Sequence, residues 1–204
     1  MIVDDVKRRV IIVAPCFLNF GLVACGFHNK AGIKYRINFL KKLLNLAEEH
    51  YIGLDTYYCS EFEILGLPRP PCARATYEER QKEVETYVRK TIEKIEKLLK
   101  NGFEILAIIG VEGSPCCGVT LTKLGKAWSK EDLEKFRKEY ELGSDLPDKY
   151  YSQLSHRQPG MGVFMELLSK ALDKLNKNYG QNIEILGWAL NKEDEIIEKI
   201  KSKL

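Results

Sequence analysis

The chain has 204 residues, of which 45% are hydrophobic, and its 32 Lys and Arg against 29 Asp and Glu leave a net charge of +3. That length holds one domain with a full core, and the interleaved charges declare no polyanion-binding face, so nucleic acid is not indicated as a partner. The six cysteines, Cys16, Cys25, Cys59, Cys72, Cys116 and Cys117, are too scattered for a small disulfide framework; in the cytoplasm, the expected compartment, such cysteines bind metal, do chemistry or lie buried.

The first ambiguity lies near the start. Lys7, Arg8 and Arg9 lead into an almost wholly apolar stretch, 10–27, which imitates a secretory signal, and Leu22-Val23-Ala24-Cys25 imitates a lipoprotein cleavage site. Against export stand Asp4 and Asp5 ahead of the basic patch, and Pro15, Asn19 and Gly21 within the apolar stretch. An apolar run that ends in a cysteine also recurs further along, which a signal would not do. No other run has the length of a membrane span, so no membrane is expected.

In chain order, a strand over Arg9 to Ala14 leads into a helix with Ile33, Ile37, Leu40, Leu44 and Ala47 at helical spacing. A second strand, Ile52 to Tyr58, ends at Cys59 before Gly66-Leu-Pro-Arg-Pro-Pro71, a loop that three prolines keep irregular. Thr76 and Glu79 form a capping-box signature for a long helix with Val84, Val88, Ile92, Ile95 and Leu99 on one face, closed by Asn101-Gly102. A third strand, Ile105 to Val111, is continuously apolar, as a sheet buried on both faces requires, and empties into Glu112-Gly-Ser-Pro-Cys-Cys-Gly118. The pattern then loosens over 119–160, read as an insertion and a candidate lid, with a charged helix from Ser129 to about Tyr140. A helix marked by Val163, Phe164, Leu167, Leu168, Ala171 and Leu175, a fourth strand over Ile183 to Trp188, and a helix from Asn191 complete the chain. Four strand–helix alternations predict one doubly wound α/β domain over 1–204, Rossmann-like, with a four-stranded parallel sheet.

In such a sheet, ligands bind beyond the carboxyl ends of the strands. Cys16 follows the first strand, Cys59 the second, and Cys116 and Cys117 the third. The fold thus brings three cysteine sites to one edge. Any one of these thiols alone reads as an ordinary buried or surface cysteine, but three at matching strand ends point to a shared ligand. Structural zinc usually takes four ligands from closely spaced pairs. An iron–sulfur cluster accepts scattered thiolates, and three of them leave one iron open for Lewis-acid chemistry. No phosphate-binding glycine motif is present.

Cys16-Phe-Leu-Asn19, Cys59-Ser-Glu61 with Gly66-Leu-Pro-Arg-Pro-Pro71, Gly110-Val-Glu-Gly-Ser-Pro-Cys-Cys-Gly-Val119 and Gly160-Met-Gly-Val-Phe-Met-Glu166 together resemble the ordered motifs of the thiouracil desulfidase family, and more narrowly a related branch of desulfidases. The resemblance implies a [4Fe–4S] cluster held by Cys16, Cys59 and Cys117, with one open iron, in an enzyme that removes sulfur from a thiolated nucleobase as sulfide without net redox change. Cys116 stands where the family usually has Ser, and Ser60 where it often has Pro, so Cys116 remains an alternative third ligand. Glu61 matches the Glu of the family's Cys-Pro-Glu element. On this reading Glu61, with Glu112 behind it, handles the proton of an attacking water, given a pKa raised by burial. Ser114 and the amides around Gly113 and Gly118 would donate hydrogen bonds to the cluster or to developing negative charge.

Of His28, His50 and His156, only His156, in the candidate lid, draws attention; Tyr150, Tyr151 and Arg157 are candidates to stack on or clamp a base. The weak net charge favours a small thiolated substrate over tRNA, which usually requires a basic footprint. Two other classes stay open: a non-catalytic iron–sulfur protein that stores or carries sulfide, and a zinc-stabilised binding module.

Overall fold

A computed structural model describes residues 7–25, 30–141 and 154–204. Its centre is a four-stranded, all-parallel sheet in the order β2-β1-β3-β6, built from β1 (Arg9–Val13), β2 (Ile52–Thr56), β3 (Glu104–Val111) and β6 (Glu184–Trp188). All four strands expected from the sequence are present, and the Rossmann-like α/β class holds. The two inner strands, β1 and β3, are buried along almost their whole length. Helices cover both of their faces, which is why both read as unbroken apolar runs. Residues 10–13 of the 10–27 stretch therefore belong to a core strand. Among the described residues no helix is long and apolar enough to cross a membrane.

Helix α1 (Lys30–His50) joins β1 to β2 and packs with α7 (Glu193–Lys201). Helix α4 (Gln81–Lys100) leads into β3 and packs with α6 (Val163–Tyr179). The buried stripe of α4 is Val84, Val88, Thr91, Ile95 and Leu99, close to the expected set. In α1 the buried residues are Phe39, Leu43 and Leu46, whereas Leu44, expected inside, is 49% exposed. Adjacent leucines offer two overlapping stripes, and the sheet selects the one that carries the larger Phe39.

Two local expectations need correction, and one helix is unanticipated. Thr76 caps nothing: it lies inside a short helix, α3 (Arg74–Glu78), and its Oγ1 accepts a hydrogen bond from the Trp128 amide at 3.1 Å. The long helix begins afresh at Gln81. Residues 60–65, to which the sequence pattern assigns no element, form helix α2 (Ser60–Leu65), too short for periodicity to reveal; it is held by buried Leu65, whose carbonyl accepts from Arg137. Finally, the segment 119–160 is less irregular than expected. Besides the anticipated α5 (Lys130–Glu141), it contains β4 (Leu121–Gly125) and β5 (Leu154–Pro159), paired antiparallel. Lys- and Gly-containing β4 and Pro-ended β5 are weak strands by composition, and they exist because they pair with each other.

Candidate functional site

From β1 the sheet grows to β2 on one side and then to β3 and β6 on the other, which puts a switch point between β1 and β3, and the cysteines surround it. After β1, the Ala14 amide makes a last sheet bond to the Ile109 carbonyl (2.9 Å), and Pro15 starts a 3-10 turn, Pro15–Phe17, that carries Cys16. Fully buried Phe17 pins this turn, its ring edge-on to Phe39 and Trp188 at centroid distances of 5.3 and 5.1 Å. After β2, Cys59 is the N-cap residue of α2; its carbonyl accepts from the Glu63 amide at 3.0 Å, and Glu61 falls in the helix's first turn.

After β3 the chain folds into a tight knot. The Val111 amide bonds to the Cys117 carbonyl, the Ser114 amide to Val111, and the Gly118 amide to Ser114. The carbonyls of Pro115 and Cys116 accept the first-turn amides of Val163, Phe164 and Met165, so this cysteine loop caps α6. Such contact requires a bare backbone: a Cβ on Gly162 would lie 2.3 Å from the Cys116 carbonyl oxygen, and one on Gly110 would lie 2.4 Å from that of Cys117. This accounts physically for the glycines that frame the two motifs. The substitution Gly162→Ala forces the loop off α6 and is expected to cost roughly 1–3 kcal/mol, measurable as a lowered urea midpoint, together with loss of whatever ligand the loop's thiol helps to hold.

Ser114 is the hub of the polar network. Its hydroxyl donates to Glu61 Oε1 (3.0 Å) and accepts from the amides of Cys116 (3.2 Å) and Cys117 (3.0 Å). The other oxygen of Glu61, Oε2, accepts from Arg69 Nη2 at 3.1 Å, in an ion pair whose side chains are only 15% and 4% exposed. Arg69 also donates to the Leu22 carbonyl, while its own carbonyl receives the Cys25 amide (3.0 Å). The amides of Gly113 and Gly118, expected to point at a ligand, are instead committed to the carbonyls of Leu121 (2.9 Å) and Ser114 (3.0 Å). Loop closure takes those donors. Glu112 accepts from the amides of Val119, Thr120 and Leu121 and from the Thr120 hydroxyl. Its carboxylate fixes the turn into β4 against Gly187, where a side chain would collide with it.

Two cavities meet at this network. The smaller, about 30 Å³, is bordered by Cys16, Cys59, Cys116, Cys117, Tyr57 and Arg69. The larger, about 350 Å³, shares Cys16, Cys117, Glu61 and Arg69 with it and opens past Arg36 and Trp188. The first admits a single water-sized occupant; the second lies at the small end of the range for organic ligands. Cys117 borders both, whereas Cys116 borders only the small one and has its Sγ hydrogen-bonded with Ser60. Cys72 lies on the wall of the large cavity, and Cys25 is buried beside the Arg69 backbone. All six cysteines are free of disulfides.

Burial, then the nearby Glu61 carboxylate, pushes the thiols of Cys59 and Cys117 up to about 12. Burial also raises Cys16, opposed by the Arg36 guanidinium. Thiols of this kind stay protonated at neutral pH unless a cation takes the proton's place, and metal uptake must release those protons. In metal-free protein, unfolding exposes thiols that ionise near pH 8.5, whereas the folded chain keeps Cys59 and Cys117 neutral up to about 12. The unfolded state then binds fewer protons, so stability is full below about pH 8.5 and falls as pH rises toward 12. Urea midpoints across that range test this.

Among the described residues, no three His, Cys, Asp or Glu side chains converge tightly enough for a single metal ion; thiolates around one tetrahedral zinc lie about 3.8 Å apart, given zinc–sulfur bonds of roughly 2.3 Å. A cluster several irons across takes its thiolates further apart. The donor set, three free thiols around two joined cavities with a buried guanidinium beside them, is chemically suited to such a group.

The family model described as Putative 2-thiouracil desulfurase matches residues 8–140. The chain belongs to this family. No curated protein and no solved structure matched it. The matched span holds every cysteine discussed above, as well as Glu61, Arg69, Glu112 and Ser114, so the desulfurase family resemblance first read from the cysteine motifs holds over the part of the chain that builds the site.

Several participants were not visible in the sequence. Arg69 is the clearest, with the flanking prolines as its only signal. Arg36 stacks over the Trp188 ring at 5.4 Å, a pairing between α1 and β6 that no local pattern announces. Of the remaining candidates, Arg157 lies across Gly113 from β5. His28, Tyr150 and Tyr151 fall outside the described residues, and the backbone of His156 lies in β5.

Proposed function

We propose that the protein is an iron–sulfur-dependent desulfurase that replaces the sulfur of a thiolated nucleobase with oxygen from water. The observation that carries this reading is the convergence of Cys16, Cys117 and Glu61 on a base-sized cavity, with Cys59 joining them around the small cavity beside it, in a chain of the desulfurase family. Cys16, Cys59 and Cys117 would hold a [4Fe–4S] cluster, with Cys117 preferred over Cys116 because the Cys116 thiol is buried and already hydrogen-bonded with Ser60 at 2.7 Å. When bound, such a group supplies an open iron as a Lewis acid for the thiocarbonyl sulfur.

The chain's own residues do the rest. Glu61, fixed by Arg69 on one oxygen and Ser114 on the other, takes a proton from the attacking water. Ser114 ties that carboxylate to the amides of Cys116 and Cys117, so base and ligand loop move as one unit. Glu112 positions the turn into β4 rather than handling protons. In the reaction, the water oxygen bonds to the ring carbon, the carbon–sulfur bond breaks, and sulfur leaves as hydrosulfide; one water proton goes with the sulfur and the other to Glu61. No electron is gained or lost overall. The cavity of about 350 Å³ suits a free base or a similarly small thiocarbonyl compound rather than a folded tRNA.

The test is anaerobic purification, determination of iron and acid-labile sulfide, and incubation with 2-thiouracil. Uracil and sulfide formed in equal amounts, over many turnovers per chain, support the reading. Absence of iron overturns it. Release of no more sulfide than the protein already contained points instead to storage or carriage.

A further inference from the structure

The small cavity among the cysteines is bordered by more hydrogen-bond donors than the protein satisfies. Arg69 is 3% exposed, and its Nε and Nη1 have no partner among the described residues. Tyr57, 4% exposed, has its hydroxyl beside the Cys117 thiol and, among the described residues, no oxygen or nitrogen partner. Both side chains border the cavity of about 30 Å³ that Cys16, Cys59 and Cys117 also line. Neither is loosely placed. Tyr57 stacks on Phe164 of α6 at a centroid distance of 5.2 Å, and Arg69 is held by Glu61 and Leu22 in a loop of three prolines. A buried donor left unmade costs roughly 1–3 kcal/mol, so the two on Arg69, with a phenol beside them that meets only a thiol, mark a place built for an acceptor. A guanidinium makes that acceptor an anion, the volume of about 30 Å³ limits it to roughly one heavy atom, and the thiol surroundings favour a soft one.

We propose that Tyr57 and Arg69 form a sulfide-binding site, with the phenol O–H and the guanidinium Nε–H and Nη1–H donating to inorganic sulfide held among Cys16, Cys59 and Cys117. The proposal rests on the desulfurase reading for the source of its ligand. That sulfide is either a bridging atom of a bound cluster or the hydrosulfide that the reaction releases, and the same donors serve both.

The deciding variants are Tyr57→Phe, which removes one hydroxyl and leaves the Glu61 pair untouched, and Arg69→Lys, which keeps the charge but loses the fork. Each is purified anaerobically beside the unaltered protein; iron, acid-labile sulfide and cluster reduction potential are measured, and sodium hydrosulfide is titrated by calorimetry. Hydrosulfide affinity at least 10-fold lower in Arg69→Lys and several-fold lower in Tyr57→Phe, at unchanged iron content, identifies the released product as the ligand. A lowered reduction potential in Tyr57→Phe with unchanged hydrosulfide affinity identifies a cluster sulfide, because hydrogen bonds to the sulfurs set that potential. Should Arg69→Lys fail to fold, Tyr57→Phe alone decides. If neither affinity nor potential moves in Tyr57→Phe, the proposal is overturned. Turnover of 2-thiouracil by the unaltered protein is assayed in the same batch: hydrosulfide binding that depends on Tyr57 without any turnover would keep the sulfide site and discard the desulfurase reading.

Discussion

Cys117→Ala is expected to strip the protein of the proposed iron and labile sulfide and to abolish turnover, while Cys116→Ala should retain both within about twofold. The two cysteines are adjacent in sequence, yet their surroundings differ completely. Cys116 is 2% exposed, shares a hydrogen bond with Ser60, and has no access to the large cavity. Cys117 borders both cavities, with Tyr57 and Cys16 as neighbours. Cys16→Ala and Cys59→Ala are expected to behave like Cys117→Ala, because each thiol comes from a different strand end and none can replace another without the backbone moving. Metal analysis on anaerobically purified variants, with circular dichroism as a check on folding, is the measurement. Iron retained in Cys117→Ala but lost in Cys116→Ala would reverse the ligand assignment and leave the remainder of the site as drawn.

The second large effect falls on Glu61. Glu61→Gln is expected to lower kcat by about 10²–10⁴-fold, the usual contribution of a positioned base, with KM changed by no more than a few-fold and iron content unchanged. The amide keeps the shape of the carboxylate but cannot take a proton, and it meets Arg69 without an ion pair. Ser114→Ala tests the same unit from the other side: it leaves the charge of Glu61 in place and removes its link to the ligand loop. It should therefore lose less of kcat than Glu61→Gln and show partial loss of iron. Steady-state kinetics normalised to iron separate the two effects. If Glu61→Gln turns over as fast as the unaltered enzyme, the proton is handled elsewhere, and Glu61 is reduced to a counter-charge for Arg69.

Much of the scaffold was legible because its signals are periodic or continuous. The inner strands could be read as apolar runs, since a parallel sheet buries them on both sides, and α4 because one face repeats Val84, Val88, Ile95 and Leu99. Alternation of these elements carried the topology, and topology carried the convergence of Cys16, Cys59 and Cys117. Legibility failed where an element depends on a distant partner. Thr76 looks like a helix cap until Trp128 takes its hydroxyl, and β4 has no strand signature until β5 lies beside it.

By itself, then, the sequence determined the fold class, the order of the elements and which strand ends carry thiols, because local hydrophobic pattern and chain direction suffice for these. Only the tertiary structure decided what each polar group is for. Glu112 and the amides of Gly113 and Gly118, candidates for chemistry when read along the chain, are taken up in closing loops. Arg69, which lies in one of the family motifs but has no role assigned along the chain, keeps two donors unsatisfied among the described residues, and Tyr57, outside every motif, faces the Cys117 thiol. Whether a buried group's hydrogen bonds are satisfied depends on neighbours brought from elsewhere in the chain, and that information exists only once the chain is folded.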